Sequence, residues 1–235
     1  MIKNNSLKKG FSVCNRPVEA TVTRQKGLDR FCYLIAGTHG DEPEGIYVLE
    51  QLIQQISSDT INLPMVVIPV LNPDGLAAKT RVNANGVDLN RNLPASNWSH
   101  QKRGEKYSPG SHPNSEPENQ FLVSLFDKYP PGFILSFHSW VPMLNSNGQC
   151  EDILQLLHKE NGYLIVRDEI EDHPTPGSLG SYASEKLGIP VLTYECPILS
   201  EDKSLQSIWQ ENEKGLIKLM QSNLIRKLLQ KAARK

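Results

Sequence analysis

Phe31-Cys32-Tyr33-Leu34-Ile35-Ala36-Gly37-Thr38-His39-Gly40-Asp41-Glu42-Pro43-Glu44-Gly45 joins two elements through a short polar turn. Its first six residues are apolar without strict alternation, as expected of a strand buried on both faces. From Glu42 to Ile56 the apolar residues Ile46, Leu49, Leu52, Ile53 and Ile56 recur at helical spacing. The turn between strand and helix carries His39 and Glu42 three residues apart, so an imidazole and a carboxylate can reach one ion together. Far downstream, His138 ends a second apolar run, Phe133 to Phe137. Two His and one Glu with an open fourth position form the ligand set of a catalytic rather than a structural zinc. His39, Glu42 and His138 are therefore the candidate ligands of one zinc ion per chain. Their spacing differs from the H-E-x-x-H helix, where both imidazoles share one helix face.

The remaining elements are read from the same signals. Ser12 to Thr23, broken near Asn15-Arg16-Pro17, reads as a hairpin. Met65 to Leu71 is a buried strand, followed by the turn signal Asn72-Pro73-Asp74-Gly75. Leu76 to Ser115 is polar and irregular, a length that usually serves a site. Ser115-Glu116-Pro117-Glu118 opens a helix, with Ser115 as cap, Pro117 in the first turn and Glu118 completing a capping box. Ile153 to Leu157 suggests a helix, and Ile189 to Tyr194 a strand ending at Glu195. Leu205 to Leu229 is expected to form one long amphipathic helix, with a basic end from Lys227 to Lys235 that suits the C-terminal pole of a helix dipole. Strands alternating with helices predict an α/β sheet with helices on both faces. No break in composition marks a linker, so residues 1–235 are expected to form a single domain, with a core of about 10–200 and a C-terminal helix of about 203–230.

The chain has 235 residues and a net charge of −1, which leaves no electrostatic basis for binding nucleic acid or an anionic membrane. No apolar run is long enough to span a bilayer. Met1 to Gly10 lacks the continuous apolar stretch of a secretory leader, so a cytoplasmic location is expected. Cys14, Cys32, Cys150 and Cys196 have no C-x-x-C spacing and read as reduced thiols, Cys196 as a small buried hydrophobe.

His39, Asn72, His138 and Glu195 all follow strands, and ligands of open α/β sheets bind outside the carboxyl ends of strands. Glu195 is thus the candidate general base, able to take a proton from water and pass it to a leaving amine. In the polar stretch, Arg81 can stabilise the oxyanion of a tetrahedral intermediate. Arg91, beside Asn90, can grip a substrate carboxylate with two hydrogen bonds. His100, His112, His158 and His173 read first as ordinary polar residues.

These pieces resemble a family. His39-x-x-Glu42, Asn72-Pro73-Asp74-Gly75, Lys79-Thr80-Arg81, Gly86-Val87-Asp88-Leu89-Asn90-Arg91-Asn92, Ser115-Glu116-Pro117-Glu118, Ser136-Phe137-His138-Ser139 and Tyr194-Glu195 are similar, in content and order, to the zinc metallocarboxypeptidases of the carboxypeptidase A type. The resemblance implies a mixed, mainly eight-stranded sheet flanked by helices. It also implies zinc on His39, Glu42 and His138, Glu195 as base, Arg81 on the oxyanion, and Asn90 with Arg91 on a terminal carboxylate. Thr175-Pro176-Gly177-Ser178-Leu179-Gly180-Ser181-Tyr182-Ala183, Gly188-Ile189-Pro190 and Glu195-Cys196-Pro197 resemble most the bacterial murein peptide amidases. That likeness implies hydrolysis of the γ-D-glutamyl to meso-diaminopimelate amide of small wall-derived peptides, in peptidoglycan recycling. Two departures stand out. Where digestive carboxypeptidases carry a mobile Tyr, this chain reads Glu171-Asp172-His173-Pro174, which makes His173 the candidate substitute donor. In the specificity-pocket segment, Leu179-Gly180 provides no fixed charge. Other readings that keep the site are a zinc deacylase of N-acyl amino acids, an ordinary L-amino-acid carboxypeptidase and a non-catalytic peptide-binding homologue.

Overall fold

The computed structural model describes residues 5–56, 61–169 and 173–231. Asn5–Phe11 (β1) and Pro17–Thr23 (β2) form an antiparallel hairpin, so Ser12 begins its turn and not its first strand. The next strands are Phe31–Ile35 (β3), Met65–Ile68 (β4), Pro131–Trp140 (β5), Met143–Asn147 (β6), Leu164–Arg167 (β7) and Val191–Pro197 (β8). Together they make one eight-stranded mixed sheet in the order β1-β2-β4-β3-β5-β8-β6-β7. Its centre, β4-β3-β5-β8, is parallel, and β2 and β6 flank that centre antiparallel. Parallel strands buried on both faces need apolar residues at every position, which Phe31 to Ile35 supply.

The helices are Pro43–Gln55 (α1), Pro73–Ala78 (α2), Pro117–Lys128 (α3), Glu151–Asn161 (α4), Leu179–Tyr182 (α5), Leu205–Gln221 (α6) and Leu224–Gln230 (α7). Alternation along each strand divides them between two layers. Leu34, Leu135, Leu192, Tyr194 and Cys196 point to the face covered by α1, α4, α6 and α7. Tyr33, Ile134 and Val191 point to the face covered by α3 and α5. Ser136, His138, Thr193 and Glu195 lie an even number of residues from Ile134 or Val191 and share that second face. They extend beyond its apolar part toward the carboxyl ends of β5 and β8.

Several local expectations change. Asn72-Pro73-Asp74-Gly75 starts α2: the Asn72 side chain caps it, accepting from the Gly75 N–H at 2.8 Å, and Pro73 takes the first turn. The signals of a turn and of a capped helix start are the same residues, and here the helix continues. Ser115 does not cap α3. Its hydroxyl donates to Glu116 Oε1 (2.6 Å), while Glu118 turns inward to accept from Asn83 Nδ2 (3.2 Å), so the capping box is absent. The expected C-terminal helix is two. Ser222 takes an extended conformation and its hydroxyl donates to the Leu219 carbonyl (2.8 Å), after which α7 packs against β5 near Gly132. Of the basic end, Lys227 and Lys231 lie within the described residues and 232–235 outside them. The strands β6 and β7 were not anticipated. Cys32, Cys150 and Cys196 are buried, Cys14 is exposed, and all four are free. Among the described residues no helix is long and apolar enough to cross a membrane.

Candidate metal centre and cleft

The turn after β3 is shaped by close packing. A Cβ on Gly40 would lie 1.8 Å from the Gly75 carbonyl carbon, so only glycine lets this turn approach the start of α2. The Gly40 N–H donates to Thr80 O (2.9 Å), and Asn72 Nδ2 lies 3.4 Å from both Thr38 O and Arg81 O. The turn holding His39 and the segment holding Arg81 are thereby tied together.

His39 Nδ1 is 2.7 Å from Glu42 Oε1, and His138 Nδ1 is 2.9 Å from Glu42 Oε2. The two Nδ1 atoms stand 3.2 Å apart. One ligand atom from each of the three residues can be chosen so that all lie within 4.8 Å of one another. The opposite ring nitrogens are occupied. His39 Nε2 lies 3.1 Å from Asp88 Oδ1, and His138 Nε2 lies 3.2 Å from Ser136 Oγ. A carboxylate only accepts, so Asp88 holds the proton on Nε2 of His39 and leaves Nδ1 with a lone pair facing Glu42 and His138. Two imidazole nitrogens and a carboxylate meeting at one point, with an outer carboxylate orienting one ring, suit zinc.

The electrostatics carry the same stamp. Burial alone would raise the Glu42 pKa, but His39 and His138 outweigh it and hold the carboxylate well below its usual range. Asp88, wholly buried, is held well below its usual range against burial by His39 and Arg81. Arg81 donates from Nε to Asp88 Oδ2 (2.9 Å) and from Nη1 to Glu42 Oε1 (3.3 Å). Glu195 is different: burial first, and then the charge of Glu42, push its pKa up to about 8. It is paired in register with His138 across β5 and β8, which sets it beside the three converging ligands.

His39, Glu42, Arg81, His138 and Glu195 line one cavity of about 440 Å³. Arg91 also lines it, donating among the described residues to the carbonyl of Asn90 alone (2.7 Å). Asn90 lines it too, its Oδ1 accepting from the Leu179 N–H at 2.8 Å. His173 stands in the wall, edge-on to Trp140 with ring centroids 4.9 Å apart, while Glu171 and Asp172 lie outside the described residues. Leu179 and Gly180 do not reach the cavity. The Leu179 side chain packs in the core under α5, and Gly180 backs onto Asn147, where a Cβ would fall 1.9 Å from Oδ1. Each touches a cavity-lining residue, Leu179 through its N–H to Asn90 and Gly180 by close packing on Asn147.

Sequence reasoning missed Asp88, Tyr107, Asn145 and Asn147. Tyr107 lines the cavity, its ring centroid 5.1 Å from the Arg81 guanidinium and 5.7 Å from that of Arg91, so the cleft has a phenol from an unexpected loop. The signal for Asp88 was its place two residues before Asn90-Arg91. No apolar pattern in Met143-Leu144-Asn145-Ser146-Asn147 marked Asn145 and Asn147 as strand residues. The long stretch between α2 and α3 is held by buried asparagine. Asn92 Nδ2 donates to Pro109 O (2.7 Å) and its Oδ1 accepts from the Glu116 N–H (3.2 Å), closing the loop that carries Arg81 to Tyr107.

Residues 6–149 match the zinc carboxypeptidase family. Murein peptide amidase A of Vibrio campbellii is 33% identical over 184 residues, covering 74% of this chain and 72% of that protein. Murein peptide amidase A of Escherichia coli K12 is 33% identical over 193 residues, covering 77% and 75%. The crystal structure of murein-tripeptide amidase MpaA from Escherichia coli O157 superposes with a TM-score of 0.77 at 27% identity, covering 92% of each chain. Carboxypeptidase A from Helicoverpa armigera shares the fold, with a TM-score of 0.76 at 18% identity, covering 98% of this chain and 70% of that one.

Proposed function

This chain belongs to the zinc carboxypeptidase family of hydrolases, and on that footing we propose that it hydrolyses the γ-D-glutamyl to meso-diaminopimelate amide of murein peptides. The observation that carries the reading is the meeting of His39, Glu42 and His138 beside Glu195, in a cleft that also holds Arg91. The names of the relatives supply the substrate class. His39, Glu42 and His138 would hold one zinc ion per chain, which would supply Lewis acidity toward a carbonyl and make water more acidic.

The chain's own residues do the rest. Glu195 takes a proton from water and delivers it to the departing amine. Arg81, held at Nε by Asp88, offers its outer nitrogens to the oxygen on which negative charge develops. Arg91 and the amide nitrogen of Asn90 bind the α-carboxylate of the leaving diaminopimelate, the Asn90 oxygen being engaged by Leu179. His173, at the wall, donates a hydrogen bond to the substrate. Cytoplasmic recycling of wall-derived peptides belongs to the same proposal, and the free cysteines suit a reducing compartment.

The test is hydrolysis of L-Ala-γ-D-Glu-meso-diaminopimelate by zinc-loaded protein, read by mass spectrometry. An α-linked L-peptide and an N-acyl amino acid run alongside. Release of diaminopimelate, abolished by a chelator, is expected. Turnover of a comparison substrate alone would move the assignment to a carboxypeptidase or a deacylase.

A further inference from the structure

We infer that Tyr107 is a positioning residue: its ring face joins the Arg91 guanidinium to that of Arg81 and so holds Arg91 ready for an anion. The inference rests on the amidase reading only for the identity of that anion, the carboxylate of the leaving residue.

The two arginines are held differently. Arg81 is fixed by acids, through Nε to Asp88 (2.9 Å) and through Nη1 to Glu42 (3.3 Å). Arg91 has no acid within hydrogen-bond reach among the described residues, and it donates to the carbonyl of its own neighbour Asn90 (2.7 Å). Burial first, and also the charge of Arg81, hold the Arg91 pKa below its usual value although Asp88 opposes them. A side chain of this length with one local hydrogen bond keeps much of its rotamer freedom.

The face of Tyr107 supplies the missing restraint. The guanidinium carbons of Arg81 and Arg91 lie 5.1 and 5.7 Å from its ring centroid, within the reach of cation–π attraction. One ring thus spans the fixed cation and the free one. Its own position is set by the same segment. The Ser108 carbonyl accepts from the Asp88 N–H (2.9 Å), and the Pro109 carbonyl accepts from Asn92 Nδ2 (2.7 Å). The two residues after Tyr107 are therefore bonded on either side of Asn90-Arg91. The Tyr107 hydroxyl has no hydrogen-bond partner among the described residues, which leaves the ring face as the contact.

An aromatic face suits this task better than its alternatives. A carboxylate in its place would take up the N–H donors that an incoming carboxylate needs. An aliphatic side chain would leave Arg91 without attraction. The ring attracts the cation and leaves its donors free. A side chain ordered in advance spares the cost of ordering it when the ligand arrives.

Zinc-loaded Tyr107→Leu and Tyr107→Phe test this. With the γ-D-Glu-linked substrate, Tyr107→Leu is expected to raise KM about 2–10-fold, the cost of ordering one freed arginine, with a smaller change in kcat. Tyr107→Phe, which keeps the ring, is expected to recover most of that loss. In an Arg91→Ala background Tyr107→Leu is expected to leave KM unchanged, because the side chain it positions is gone. A readout free of turnover is phenylglyoxal labelling followed by peptide mass spectrometry, with Arg30, just before β3, as internal reference. Arg91 is expected to label faster in Tyr107→Leu than in wild type or Tyr107→Phe. Zinc content and circular dichroism confirm that each variant is folded. Unchanged KM or unchanged Arg91 labelling in Tyr107→Leu overturns the inference. So does a Tyr107→Phe variant as impaired as Tyr107→Leu, or a KM effect that persists without Arg91. If wild-type protein cleaves no γ-linked peptide, the amidase reading fails, and the labelling of Arg91 alone decides the role of Tyr107.

Discussion

Asp88 touches both His39 and Arg81, so one buried carboxylate orients a proposed metal ligand and the proposed oxyanion donor. Asp88→Asn keeps the shape but lets the amide offer a proton to His39, which favours the wrong ring tautomer. Zinc affinity is expected to fall about 10–100-fold, measured by competition with a chelator. Glu195→Gln is expected to retain zinc and lose about 10²–10⁴-fold in kcat, since only the proton carrier is removed. Unchanged turnover would exclude Glu195 as the base. Arg91→Ala is expected to raise KM about 10–100-fold for substrates with a free carboxylate and to spare amidated ones. Equal losses for both would count against a carboxylate contact. The ligands and Glu195 were legible because each follows an apolar run that is unmistakably a strand. Asp88 was not, because its place just before Asn90-Arg91 gives no sign that the acid will be wholly buried against a histidine 49 residues earlier.

Among the elements, the turn after β3 is the most tightly determined. Gly40→Ala forces a Cβ against the backbone of Gly75, where neither partner is a flexible side chain. Destabilisation of about 1–3 kcal/mol or more is expected in urea unfolding, with weaker zinc binding because Thr38 to Glu42 must move. Wild-type stability and zinc affinity in that variant would show that the turn has slack. Of the two strands that sequence reading missed, β6 lines the cleft and β7 does not. Met143-Leu144-Asn145-Ser146-Asn147 puts polar residues where a strand normally puts apolar ones, and β7 is four residues long and largely exposed at the edge of the sheet. The lost capping box at Ser115 has a similar origin. Glu118 is claimed by Asn83 and by the Val13 N–H (3.4 Å), long-range partners that a local motif cannot foresee.

For the molecule as a whole, folding raises Glu195 from an ordinary carboxylate to about 8, chiefly by burial. Between the unfolded and folded pKa values the native state holds a proton that the unfolded chain has released. Stability of the metal-free protein therefore falls as pH rises through this window, by up to about 1.4 kcal/mol per pH unit from this group. Glu195→Gln removes the effect. The melting temperature of the metal-free variant is expected to gain on wild type steadily from pH 5 to pH 8. A constant difference across that range would mean that Glu195 is ionised throughout in the native state. The α/β class and the helices on both faces were readable from the alternation of elements. The strand order and the parity of β8 were not, because they depend on which distant strands pair.

That parity has an evolutionary consequence. Along β8, Val191, Thr193 and Glu195 face one way and Leu192, Tyr194 and Cys196 the other, so a single strand serves two masters on alternate residues. Point substitutions at Thr193 or at its neighbours on β6 can change the lining of the cavity while the opposite face keeps the protein folded. A one-residue insertion or deletion within β8 cannot do so gradually, because it would exchange the two sets together. Descendants of this chain can thus reshape the cavity by replacement and are barred from doing so by changes in strand length.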